Sequence, residues 1–216
     1  MEFKTTGPRA PFATLLLGHG SGAPMDSPFL EDVSAGLAER GLGVARFEFA
    51  FMATRRLDGR RRPPPRADKL IPEFCQAVDR LQGKAPLVIA GKSLGGRVAS
   101  MVAGELFGDG RIAGCIALGY PFHPPGRPDR LRTAHLVGLA CPLLICQVER
   151  DPFGPRNEVA GYDFGQATIR FHWVGDGDHG FEPRKRSGRT LGQNLDGACQ
   201  AIASFVDEIV HLEKAI

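Results

Sequence analysis

The residue types and spacings that could do chemistry centre on Gly91-Lys92-Ser93-Leu94-Gly95. The apolar run Leu87-Val88-Ile89-Ala90 leads into it, and Gly96-Arg97-Val98-Ala99-Ser100 leads out. A strand-like run entering G-x-S-x-G and leaving into small, helix-compatible residues is the sequence form of a sharp elbow that exposes a serine hydroxyl. Side chains at the flanking glycines would strike the neighbouring strand and helix, and the serine backbone itself must be strained. A serine hydroxyl is a weak nucleophile at neutral pH. It needs a base to take its proton and an acid to orient that base. Ser93, Asp151 and His179 each stand in the loop that directly follows a predicted strand. Imidazole titrates near neutrality and suits the base, and a carboxylate would hold the ring and stabilise its charged form. The chemistry would be attack of Ser93 on an acyl carbon. The negative charge that develops on the carbonyl oxygen then needs N–H donors. The backbone N–H of Leu94 is one candidate. The backbone N–H of Ser21, in Gly18-His19-Gly20-Ser21-Gly22, is the other.

Competing assignments exist for several of these residues. Asp176 and Asp178 lie close to His179, but an acid so near in sequence rarely reaches the back of the ring, which favours Asp151. His19 is expected to brace its loop by hydrogen bonding rather than to react. His123, His135, His172 and His211 read as surface or packing residues. The Asp176-Gly177-Asp178-His179 cluster lacks the second acidic arm that a metal site would need, so no metal and no cofactor is expected. Lys92 and the arginines Arg60, Arg61 and Arg62 are candidates for substrate or anion binding, weighed against an ordinary solvated loop. Arg184, Lys185, Arg186 and Arg189 could extend the same positive rim.

The elements that must position these groups follow from periodicity. Ala13-Thr14-Leu15-Leu16-Leu17 reads as a buried strand stopped by the glycine-rich loop. Ser27 and Pro28 open a helix carrying Leu30, Val33 and Leu37, and Gly41 ends it. Residues 44–49 alternate as a second strand. Residues 55–66 hold six arginines around Pro63-Pro64-Pro65 and predict a loop, since such a segment cannot be a regular helix or central strand. Ile71, Phe74, Cys75, Val78 and Leu81 resume helical spacing up to Gly83. Further strands are expected at 87–90, 112–118, 143–148 and 168–174. A long amphipathic helix carries Leu195, Cys199, Ile202, Phe205, Val206, Ile209 and Leu212. Strands alternating with helices imply a mostly parallel sheet covered on both faces, with ligands at the carboxyl ends of its strands.

Composition narrows the classes. At 216 residues the chain suits one domain spanning 1–216. Its 43% hydrophobic and 24% charged residues are ordinary globular values. A net charge of +3 is too small to argue for nucleic acid. Five cysteines, odd in number and without C-x-x-C spacing, argue against a disulfide framework or zinc. No apolar run is long enough to span a bilayer. A soluble cytoplasmic protein, monomer or homodimer, is the expectation.

The chain resembles the α/β-hydrolase superfamily over nearly its whole length, and within it the small, lidless dienelactone-hydrolase-like group of KANL3/Tex30 type. The resemblance rests on Gly18-His19-Gly20-Ser21-Gly22, Arg61-Arg62-Pro63-Pro64 and Gly91-Lys92-Ser93-Leu94-Gly95-Gly96-Arg97. It rests further on Gly119-Tyr120-Pro121-Phe122-His123-Pro124, Arg150-Asp151-Pro152-Phe153-Gly154 and Asp178-His179. The order Ser93, Asp151, His179 is the order in which that superfamily's nucleophile, acid and base follow one another. The resemblance implies a reduced, mostly parallel sheet of six to seven strands. Helices cover both faces and there is no large cap domain, only a loop with one helix near 131–139. It implies a serine hydrolase of the carboxylesterase or thioesterase type acting on a small-molecule ester or thioester. An acyltransferase would use the same intermediate. The alternative from another class is a non-catalytic binding or scaffold protein that uses its basic face.

Overall fold

The computed structural model describes residues 1–81, 83 and 85–213, with the side chains of residues 212 and 213, Leu212 among them, outside the description. Among the described residues seven strands form one sheet: β1 (Phe3–Thr6), β2 (Thr14–Gly18), β3 (Gly43–Phe47), β4 (Leu87–Lys92), β5 (Gly114–Leu118), β6 (Leu143–Val148) and β7 (Ile169–Val174). Their order is β1-β3-β2-β4-β5-β6-β7, with β1 antiparallel to β3 and every other pairing parallel. Among the described residues six α-helices accompany them: α1 (Pro28–Glu39), α2 (Ala50–Asp58), α3 (Ala67–Arg80), α4 (Leu94–Gly108), α5 (Arg156–Val159) and α6 (Leu191–Glu213).

Period-two alternation along the strands divides the core into two layers. Leu15, Leu17, Val88, Ala90, Ile116 and Leu118 face α1 and α6, where Leu30, Val33, Leu37, Cys199, Ile202 and Val206 meet them. Leu16, Ile89, Cys115, Ala117, Leu143 and Ile145 face the other way, onto Phe74 and Val78 of α3 and Val98 and Val102 of α4. Because both faces are covered, the central strands are apolar nearly throughout, which is why they read as continuous runs in the sequence. All five cysteines are free thiols, and four are buried. Among the described residues, no helix is long and apolar enough to cross a membrane.

The topology decides where a ligand can sit. The chain runs from β2 outward to β3 and then returns to place β4 on the other side of β2. This reversal opens a crevice beyond the carboxyl ends of β2 and β4. Gly18 and Gly91 are register partners there, so the loops after these strands start level with each other.

Four sequence expectations need correction. Strand β1 was not legible, because Phe3-Lys4-Thr5-Thr6 is short, largely exposed and gains its strand character from pairing with Val44–Phe47. The arginine-rich stretch is not all loop. Helix α2 runs through Arg55 and Arg56 and ends at Gly59, which takes the left-handed conformation with φ 67°. Nor is there a helix over 131–139, where only one 3-10 turn, Ala134–Leu136, forms and Gly138 turns away at φ 70°. The fifth strand starts at Gly114 rather than Ile112. Ser27 does stand at the N-cap of α1, with Pro28 first in the helix, but its side chain makes no capping bond.

Candidate functional site

Ser93 stands between the last residue of β4 and the first of α4, with φ 51° and ψ −113°. This is a strained conformation for a residue with a side chain. Packing on both sides enforces it. A Cβ on Gly91 would lie 2.2 Å from the Gly95 carbonyl carbon and 2.3 Å from the Gly96 nitrogen, and a Cβ on Gly95 would lie 2.6 Å from the carbonyl oxygens of Gly18 and His19. The elbow is therefore wedged between its own helix and the β2 loop, and neither glycine could be alanine without backbone movement. The Ser93 N–H donates to the Leu118 carbonyl at 2.9 Å, which ties the turn to the end of β5.

Three groups far apart in the sequence meet at this turn. His179 Nε2 lies 2.9 Å from Ser93 Oγ, and His179 Nδ1 lies 2.8 Å from Asp151 Oδ2. A carboxylate can only accept, so Nδ1 carries the hydrogen and Nε2 is left to accept from the serine hydroxyl. Asp151 is fully buried, and His179 is about one quarter exposed. Such a chain can pass the serine proton to the ring while the carboxylate faces the imidazolium that results. Phe153 packs beside the ring with centroids 4.5 Å apart.

The nearby acids are engaged elsewhere. Asp176 pairs with Arg184 and, at 3.4 Å, with Arg150, and the Arg184 guanidinium above all pulls its carboxyl down to about 2. Asp178 Oδ1 accepts from the N–H groups of Gly180 and Glu182, closing the turn that carries His179.

Asp151 is held by a residue that the sequence reading did not single out. The Gln147 amide, fully buried on β6, donates to Asp151 Oδ2 at 3.2 Å, to the Tyr120 carbonyl at 3.2 Å and to the Gly154 carbonyl at 3.1 Å. Its Oε1 accepts from the Tyr120 N–H at 2.8 Å. The Phe153 N–H donates to Asp151 Oδ1 at 2.9 Å. A glutamine inside the apolar run Leu143–Val148 was the available signal, since a buried amide has to find partners.

The β2 loop approaches Ser93 from the opposite side. His19 is buried. Its Nδ1 is 2.6 Å from the Gly20 carbonyl and its Nε2 accepts from the Phe49 N–H at 3.0 Å. Burial lowers its pKa, which favours the neutral ring that this pair of bonds requires. It braces the loop. In a planar trans peptide the carbonyl and the next N–H point in opposite directions, so pinning the Gly20 carbonyl turns the Ser21 N–H away from His19. Among the described residues, neither the Ser21 nor the Leu94 N–H donates to another group, and both residues line the same cavity as Ser93. Two such N–H groups can receive an oxyanion.

Two cavities flank Ser93. One, of about 500 Å³, is lined by Leu94, Arg97, Arg132, Met101 and Pro64 among others. The other, of about 390 Å³, is lined mainly by apolar groups, including Phe29, Leu30, Pro28 and Leu191, and contains His179. Ser21, Ser93 and Phe153 border both.

The candidate cations fall in different places. Lys92 borders the apolar cavity, but its ammonium donates to the His179 carbonyl at 2.7 Å and lies over the Phe29 and Phe181 rings. Burial pushes its pKa down to about 8. Arg60, Arg61 and Arg62 line neither cavity; Arg62 pairs with Asp58 at 2.6 Å. Arg55 donates to the Gly22 carbonyl at 3.2 Å and Arg56 bridges Asp26 and Glu48, so these two tie α2 to the β2 loop.

A family model described as an alpha/beta hydrolase domain matches residues 11–207. Among solved structures, a dienelactone hydrolase from Anabaena variabilis superposes with a TM-score of 0.71 at 18% identity, covering 94% of this chain and 89% of its own. Est1E from Butyrivibrio proteoclasticus, solved with ferulic acid bound, superposes with a TM-score of 0.70 at 15% identity, covering 97% of this chain and 95% of its own. The esterase domain of a Rhodothermus marinus protein gives 0.67 at 16% identity, covering 97% of this chain and all of its own. With the sheet order, the elbow and a match over residues 11–207, the chain belongs to the alpha/beta hydrolase family.

Proposed function

We propose that the protein is a serine hydrolase that cleaves a small-molecule carboxylic ester or thioester through an acyl-enzyme on Ser93. The observation that carries this reading is the continuous hydrogen-bonded chain from Ser93 through His179 to Asp151 at a strained strand–helix turn. Ser93 Oγ attacks the acyl carbon as His179 Nε2 takes its proton. The N–H groups of Leu94 and Ser21 stabilise the oxyanion, and His179 returns the proton to the departing oxygen or sulfur. Water, deprotonated by the same ring, then releases the acid and restores Ser93. Asp151 keeps the ring oriented throughout, with Gln147 and the Phe153 N–H fixing the carboxylate. The 1–216 chain acts as one domain. Free thiols at all five cysteines accord with a reducing, cytoplasmic setting.

A fluorophosphonate probe tests the reading. The native protein should label at Ser93 and hydrolyse short p-nitrophenyl esters. Ser93→Ala should lose the label and lower kcat by roughly 10⁶-fold, leaving the residual that positioning and oxyanion donors supply. A native protein that neither labels nor turns over any ester defeats it.

A further inference from the structure

The two cavities beside Ser93 differ in charge, and the difference sorts the two halves of a substrate. Arg97, in the first turns of α4, and Arg132, in the loop between β5 and β6, both line the larger cavity. Among the described residues neither guanidinium has an ion-pair or hydrogen-bond partner, and Arg97 Nε is buried without one. The remaining charged pair on that wall, Arg66 and Asp68, is joined at 3.1 Å and leaves no carboxylate over. Two partly buried like charges facing one cavity are costly unless an anion joins them. Burial and then the neighbouring Arg97 lower the pKa of Arg132, as expected for cations held together out of water. The smaller cavity is mainly apolar and holds no arginine: Asp32 lies on its wall, and its one lysine, Lys92, has its ammonium on the His179 carbonyl and over the Phe29 and Phe181 rings.

His179 settles which half goes where. It must hand its proton to the departing atom, so the leaving group lies on its side of Ser93. That side is the apolar cavity, to which His179 belongs, while the arginine cavity does not contain it. Resting on the hydrolase reading above, we propose that the Arg97–Arg132 cavity is an acyl pocket for a chain ending in a carboxylate. The substrate class is then the half-ester or half-thioester of a dicarboxylic acid with an apolar alcohol or thiol. On attack, the bond from Ser93 Oγ to the ester carbon forms and the carbon–oxygen or carbon–sulfur bond to the apolar group breaks. The distant carboxylate stays unchanged against the two guanidiniums and leaves with the acid after water attacks.

Three esters test the proposal: monobenzyl glutarate, benzyl valerate, and the valerate of 4-(hydroxymethyl)benzoic acid, whose charge sits on the alcohol. The native protein should show kcat/KM for monobenzyl glutarate at least tenfold above that for benzyl valerate, and should disfavour the third ester. In Arg97→Gln and in Arg132→Gln the glutarate-to-valerate ratio should fall about 10- to 100-fold, the range for a lost hydrogen bond to a charged group. A ratio cancels any loss of folded protein. A native ratio near one, a ratio that neither substitution moves, or a preference for the alcohol-side carboxylate overturns the proposal. If no ester turns over, the hydrolase reading fails separately and binding still decides the subsite. Calorimetry of monobenzyl glutarate with Ser93→Ala should then give a Kd that Arg97→Gln weakens about tenfold or more, and equal affinities refute the subsite.

Discussion

Replacing Gln147 by glutamate changes one atom of the network behind Asp151 and makes a quantitative demand. Oε1 is retained for the Tyr120 N–H, but the amide nitrogen that serves three acceptors becomes oxygen. An ionised carboxylate there would face Asp151 Oδ2 at the 3.2 Å now spanned by a hydrogen bond. At an effective dielectric of about 20, two charges so close repel by about 5 kcal/mol. Taking up a proton at pH 7 against an ordinary glutamate value near 4.3 costs about 4 kcal/mol, so the folded variant prefers the proton. The introduced carboxyl thus has a raised pKa in the folded state. Its penalty is small near pH 5, about 1 kcal/mol, and grows as pH rises. A protonated carboxyl has one hydrogen for three acceptors, which adds a pH-independent cost of about 1–3 kcal/mol. The Tm gap between native protein and Gln147→Glu, read by calorimetry, should therefore widen between pH 5 and pH 7 by roughly 6–12 °C. Activity on a short ester should fall as well, by roughly 10- to 100-fold, as Asp151 loses its fixed position. A gap that is the same at both pH values would refute the burial and facing of these two side chains.

Other expectations follow from the same geometry. Gly95→Ala places a methyl 2.6 Å from two carbonyl oxygens and should cost well over 3 kcal/mol, whereas Gly110→Ala, at φ 67° with open space around it, should cost only about 1–2 kcal/mol. Urea titration of both compares steric overlap with backbone strain alone. Burial holds His135 down to about 4, where it sits 2.9 Å from Ser100 Oγ. Its unfolded ring titrates near 6.5, so the unfolded chain binds more protons below that pH. Stability should then fall as pH drops from about 6.5 to about 4, by up to ~3 kcal/mol; His135→Asn should flatten that slope in acid-denaturation curves. His19→Ala leaves the buried Phe49 N–H without its acceptor and should cost about 1–3 kcal/mol plus a cavity contribution. Its kcat on short esters should fall more than its KM rises if the loop also presents the Ser21 N–H to the oxyanion.

Much of the architecture lay open in the chain itself. The apolar runs at β2, β4, β5 and β6 announce strands buried on both faces, because parallel strands under helices are apolar nearly throughout. Gly91 and Gly95 announce the elbow on either side of Ser93, since a Cβ at either would meet backbone atoms under 3 Å away. Asp151 and His179 stand out because each lies in the loop that directly follows a predicted strand. Strand β1 and helix α2 were hidden for opposite reasons: β1 is made a strand by its partner β3, and α2 carries arginines whose partners, Asp26, Glu48 and Gly22, come from other loops. Tertiary structure alone decided the distances that matter. It brought Ser93 to 2.9 Å and Asp151 to 2.8 Å from the two nitrogens of His179, and set Gln147 behind the carboxylate. It also carried the question of charge away from Arg60, Arg61 and Arg62 to Arg97 and Arg132. Local spacing cannot reveal that pair, because one stands on a helix and the other on a loop 35 residues later, and only the folded chain brings both to one cavity.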